Sequence, residues 1–175
     1  MTRSNESIYV FLDKLRMEHV LDFRKRLYLG SLTIPLTDPF LTKVQNARLA
    51  AKDMTDIIAL LEDHAVADSD GQELLNSSCI AGLCSDDCGL WKSPTDNLYK
   101  VSKLVEHGSS PTTEKPELPA KLASIRETIG SRGKTPRWKL RTRVGERVQL
   151  YLDVEEVEQP NSTMGTLMDE LTDQL

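Results

Sequence analysis

The chain has 175 residues, of which 39% are hydrophobic and 28% charged, with a formal net charge of −5. That size suits one domain, or one domain with an appendage, and a core that needs neither metal nor disulfide. The 5% aromatic content calls for a core of Leu, Ile, Val and Ala, and no run approaches the ~18 apolar residues that span a bilayer.

The first 107 residues read as helical. Ser4 or Asn5 caps a stretch in which Ile8, Phe11, Leu12 and Leu15 recur at helical spacing. Val20, Phe23 and Leu27 lie on a rotated face, which predicts a kinked helix with its break near Glu18-His19. "SLTIPLTDPF" reads as an extended connection, and Thr37 or Asp38 before Pro39 as a helix start. Leu41, Val44, Ala47 and Ala51 continue one face, and Met54, Ile57, Ile58 and Leu61 form a stronger one. Ser69 with Gln72 resembles a capping box opening a short helix through Leu74, Leu75 and Ile80. "SPTDNLYKVSKLVEHG" predicts a further helix with Pro94 near its start.

Residues 109–119, "SSPTTEKPELP", read as a semi-rigid Pro-rich linker. A short helix with Leu122, Ile125 and Ile129 is expected next, ended by Gly130 and Gly133. The expected organisation is a helical bundle domain at 4–107, a linker at 108–119, and a helix plus β-hairpin module at 120–158. An acidic tail with a short amphipathic helix follows at 159–175. The fold class expected is mainly α, an N-terminal helical bundle with a small C-terminal β-hairpin module, α+β overall.

Charge is concentrated near the C-terminus. Residues 132–147 hold seven basic residues and one acidic, and residues 148–175 hold seven acidic and no basic. From Trp138 to Val154 the even positions are mostly apolar and the odd ones mostly charged or polar, the period of a half-buried strand. One strand of that length would run ~57 Å at ~3.3 Å per residue, so a hairpin about Gly145 is expected. An odd-length turn sets Val144 opposite Val148, Leu140 opposite Leu152, Lys139 opposite Asp153 and Arg141 opposite Tyr151. The basic strand is then answered by its own acidic partner. Arg132, Lys134 and Arg147 remain outside that pairing, and a nucleic-acid surface of Arg132, Lys134, Arg137, Trp138, Lys139, Arg141, Arg143 and Arg147 is the alternative.

Cys79, Cys84 and Cys88 lie within ten residues, and with His107 they would satisfy tetrahedral zinc. Their x4 and x3 spacing lacks the close C-x2-C knuckle, so reduced thiols are expected, and no cofactor. Asp86 and Asp87 beside Cys88 oppose a thiolate. His64 and His107 fall at predicted helix C-termini, where a cation suits the dipole. No Gly-rich phosphate loop, G-x-S-x-G or calcium-loop pattern occurs. In the tail, Met164, Leu167, Met168 and Leu171 make an apolar stripe on an acidic background, the form of a motif that lies in a partner's groove.

The helix count over residues 4–107, together with "LLEDHAVADSDGQELL", is similar to a death-fold interaction domain such as a caspase-recruitment domain. That resemblance goes with a compact bundle of about six helices with a kinked first helix. It transfers no site residues and leaves out the linker, hairpin and tail. The function expected is a non-enzymatic protein-interaction or regulatory protein, binding another protein or a second copy of itself. A nucleic-acid-binding regulator using residues 132–147 is the alternative. No membrane association is expected, and a cytoplasmic or nuclear location is.

Overall fold

The computed structural model describes residues 14–29, 34–107 and 116–144. Helices dominate them: α1 (Thr37–Val44), α2 (Ala51–Asp63), α3 (Ser77–Asp86), α4 (Cys88–Glu106), α5 (Leu118–Ser131) and α6 (Pro136–Val144). Two small strand pairs accompany these helices. β1 (Lys14–Arg16) and β2 (Val20–Asp22) run antiparallel; β3 (Ala65–Ala67) and β4 (Leu74–Asn76) run parallel. The chain is thus mainly α with small two-stranded sheets.

The amphipathic stripes place the core. Met54, Ile57, Ile58 and Leu61 of α2 are all buried, as their spacing predicts. They join Phe40, Leu41 and Val44 of α1, Leu75 of β4, Ile80 and Cys84 of α3, and Leu98, Val101 and Val105 of α4. Leu118, Leu122, Ile125 and Ile129 of α5 belong to the same cluster, and α5 packs on α3, α4 and α2. One core therefore receives side chains from both sides of the Pro-rich stretch. Each buried aliphatic side chain contributes roughly 1.5–3 kcal/mol of transfer free energy.

Several expected elements are corrected. The kinked helix over the N-terminal residues is, from Lys14 onward, a hairpin: Leu15 faces Leu21 across it and both are buried. The apolar face that shifts near Glu18-His19 marks a chain reversal rather than a kink. Inward Leu15 and Leu21, flanked by Lys14, Arg16 and Asp22, carry the period-2 signal of a short strand pair. The turn is held from outside: His19 Nε2 shares a 3.0 Å hydrogen bond with Ser93 Oγ of α4, and the Glu18 carboxylate accepts from the Ala47 N–H. The expected bundle of about six helices is corrected with it. Among the described residues of 4–107 there are four α-helices and two strand pairs.

The expected capping box at Ser69 and Gln72 does not start a helix. Leu74–Asn76 is strand β4, and α3 begins at Ser77, where Asn76 Oδ1 accepts from the Cys79 N–H at 2.9 Å. Pro94, expected near a helix start, lies inside α4, whose cap is Asp87 accepting from the Leu90 N–H at 3.0 Å. A proline inside a helix leaves the carbonyl four residues earlier without its N–H donor, here that of Leu90. The Cys84 thiol donates to that carbonyl at 3.3 Å, which lets the helix continue through Pro94.

The largest correction concerns the basic stretch. Residues 138–144, expected as the first strand of the hairpin, lie in α6, Pro136–Val144. Thr135 starts it: its hydroxyl accepts from the Trp138 N–H at 3.3 Å, and Pro136 follows at the first helical position. The partner strand of the expected hairpin, with the tail beyond it, lies outside the described residues.

Candidate partner-binding surface

The entry to α6 is fixed at three points. The Thr135 N–H donates to the Ser85 carbonyl of α3 at 3.0 Å, and Lys134 Nζ donates to the Ile129 carbonyl near the end of α5 at 2.7 Å. Trp138 meets Trp91 of α4 edge-on, with ring centroids 5.6 Å apart and planes at 90°. Lys134 Nζ lies 5.6 Å from the centre of the Trp91 ring and 6.0 Å from that of Trp138, within cation–π range. Burial lowers the pKa of this ammonium. Lys134 and Trp138, nucleic-acid contacts in the alternative reading, are here engaged in tying the entry of α6 to α5 and the helix itself to α4.

Helical geometry redistributes the remaining cations. In a strand, Arg137, Lys139, Arg141 and Arg143 would share one face. At ~100° per residue they separate into Arg137 with Arg141 and Lys139 with Arg143, on opposite flanks of the helix. Leu140 lies between the flanks and is 66% exposed. Arg132, Arg137, Lys139 and Arg143 are also exposed, and none of the four forms an ion pair among the described residues.

Arg137, Leu140 and Arg141 form one wall of a groove of about 310 Å³ whose other wall is Asp86, Asp87, Cys88 and Gly89, the junction of α3 and α4. One side of the groove is cationic with an apolar crest, and the other carries two carboxylates. The sequence reading did not connect these walls, because 49 residues separate Asp86 from Thr135, whose N–H joins the neighbouring Ser85 carbonyl. Arg147, Met164, Leu167, Met168 and Leu171 lie outside the described residues.

The cysteines have structural environments. Cys84 is buried and its thiol is pushed up to about 12 by burial, which keeps it a proton donor for the Leu90 carbonyl. Burial, then Asp87, raises Cys88. Burial raises Cys79 against the opposing Arg26 guanidinium. These shifts oppose a thiolate nucleophile. Among the described residues no three His, Cys, Asp or Glu side chains are grouped as metal ligands. His107 caps the end of α4, its ring Nδ1 2.7 Å from the Lys103 carbonyl oxygen. His64 caps α2 and lies 2.9 Å from a Glu73 carboxylate oxygen.

Two further polar clusters fasten elements together. Arg26 bridges Asp38 at the start of α1 (2.6 Å) and Asp70 in the loop after β3 (2.9 Å). Burial raises the Asp38 carboxyl against the pull of Arg26. Asn97 of α4 donates to the Val44 and Asn46 carbonyls at 3.0 and 2.6 Å, which fixes the chain after α1.

Comparison of the chain with protein-family models, with curated proteins and with solved structures finds no match. Among the described residues no helix is long and apolar enough to cross a membrane.

Proposed function

We propose that the chain is a non-enzymatic interaction protein whose α6 face receives an acidic, amphipathic segment of a protein partner. The observation that carries this reading is Leu140, exposed between Arg137 and Arg143 on the rim of a groove whose far wall is Asp86 to Gly89. An apolar crest flanked by guanidinium groups offers a leucine-striped acidic helix both burial and charge pairing. The raised thiols and the structural roles of the histidine caps support a binding role rather than nucleophilic chemistry.

The partner chemistry follows from charge. Asp86 and Asp87 on the opposite wall repel a continuous phosphate backbone but tolerate a peptide carrying both signs. The nucleic-acid reading retains one specific support: Arg132, Lys139 and Arg143 are exposed and form no ion pair among the described residues.

One titration separates the two. A fluorescent acidic peptide with leucines at i, i+3, i+4 and i+7 is expected to bind, and Leu140→Asp to weaken it by about 10-fold, or 1.4 kcal/mol. A fluorescent single-stranded oligonucleotide is expected to bind more weakly at ~0.15 M salt, where screening acts within ~8 Å. Tighter oligonucleotide binding, weakened by Lys139→Ala and Arg143→Ala and falling steeply with salt, would put the nucleic-acid reading in its place.

A further inference from the structure

The formation of α6 changes what the acidic C-terminal residues can meet. Residues 132–143 hold six basic residues and no acidic one, and α6 exposes Arg137, Lys139 and Arg143, with Leu140, at the surface. Residues 148–175 hold seven acidic residues and no basic one, and their last part carries the stripe Met164, Leu167, Met168 and Leu171 beside Asp169 and Glu170. The chain thus contains both a surface with an apolar crest between cations and a segment with an apolar stripe among anions.

We infer that the acidic tail of the same chain, residues 160–175, docks on the α6 face and is its resident ligand. The inference rests on the proposed function and names the partner of that surface. Tether length permits it. Met164 lies twenty residues beyond Val144, and a chain of that length reaches at most ~70 Å, while α6 itself is only ~14 Å long. Such a tether raises the local concentration of the tail to the order of millimolar, so a contact too weak to form between separate molecules is still populated. Covering Leu140 removes apolar surface from water, and Asp169 and Glu170, beside the stripe, answer Arg137 and Arg143, which are exposed on either side of Leu140. The docked tail must then be displaced before any other acidic partner binds, which makes it a competitive regulator of the site.

The test uses the full-length chain with the photo-crosslinker p-benzoylphenylalanine in place of Leu140, irradiated as an equal mixture of light and isotopically heavy protein. Mass spectrometry is expected to find crosslinks to residues 160–175 within single chains, reduced several-fold by Asp169→Lys with Glu170→Lys. The same charge-reversed chain, with Leu140 intact, is expected to bind the acidic peptide about 2- to 10-fold more tightly than the native chain, because competition is gone. Crosslinks to the tail that join light to heavy chains would assign the ligand to a second copy and overturn docking within one chain. Absence of tail crosslinks, with the helical circular dichroism spectrum unchanged, would overturn the inference. If the peptide still binds the native chain and Leu140→Asp weakens it, the inference alone fails. If the charge-reversed chain also fails to bind peptide, the proposed function fails with it.

Discussion

Helices α4 and α6 are built by different forces. α4 runs nineteen residues and buries Leu90, Leu98, Val101, Leu104 and Val105, so it stands on packing and tolerates an internal proline. α6 runs nine residues with Leu140 turned to solvent. Its shape comes from the Thr135 cap, Pro136 and the docking of Trp138 and Lys134 on neighbouring elements. A short helix in water is marginal on propensity alone, so α6 depends on those contacts. The difference separates function as well: α4 is scaffold, and α6 is a surface held on that scaffold.

The sharpest ways to break this comparison begin in the core. Ile125→Ala in α5 is expected to cost about 2–5 kcal/mol, read from denaturant unfolding. A much smaller loss would mean that α5 is not part of the core shared with α4. Next comes the thiol under Pro94. Cys84→Ala removes the donor to the Leu90 carbonyl and is expected to cost about 1–3 kcal/mol. Cys84→Ser keeps a donor and should recover part of that loss, whereas equal losses from Ala and Ser would show that only volume matters there.

Within α6, Thr135→Ala is expected to cost about 1 kcal/mol through loss of the cap, with a matching drop in helical circular dichroism. Trp138→Phe tests the aromatic dock more finely. The indole N–H of Trp138 is buried without a hydrogen-bond partner, so its removal offsets part of the lost ring area. Near-neutral stability is expected, against a clear loss for Trp138→Ala.

The smallest effect concerns acid. Burial lowers the pKa of His19 from its ordinary value, so the folded chain keeps it neutral while the unfolded chain takes up a proton near pH ~6.5. The stability this provides is complete above that pH and is lost as pH falls toward the folded-state pKa. Tm is expected to drop between pH 7.5 and 5.5, each on the order of one pH unit from the unfolded-state value. The drop should shrink in His19→Gln, and an identical drop in that variant would sever the link to α4 through Ser93.

What could be read from the sequence followed the strength of each stripe. Met54, Ile57, Ile58 and Leu61, and Leu122, Ile125 and Ile129, mark helical faces long enough that only one period fits, and all seven are buried. Short stretches were ambiguous. Leu15, Val20 and Phe23 fit the faces of a helix broken at Glu18-His19, whereas the hairpin buries Leu15 and Leu21 and leaves Val20 49% exposed, and only packing decides. In residues 137–143 the alternation was carried mostly by cations at odd positions, and charge is not burial. Thr135-Pro136 carries the residue types of a helix start, a signal the expected hairpin did not use. The groove wall at Asp86–Gly89 was not legible, because it depends on the backbone bond from Thr135 to Ser85 and on Trp138 meeting Trp91 across the fold.

The central claim is that residues 136–144 form a helix that sets Leu140 on the rim of a groove shared with Cys88 and Gly89. Nuclear magnetic resonance of the full-length chain tests it most directly. Helical Cα shifts and sequential amide–amide contacts from Arg137 to Arg143 are expected, together with contacts between the Leu140 methyls and Gly89. Extended shifts over the same residues, with cross-strand contacts from Leu140 to Leu152, would contradict the helix and restore the hairpin.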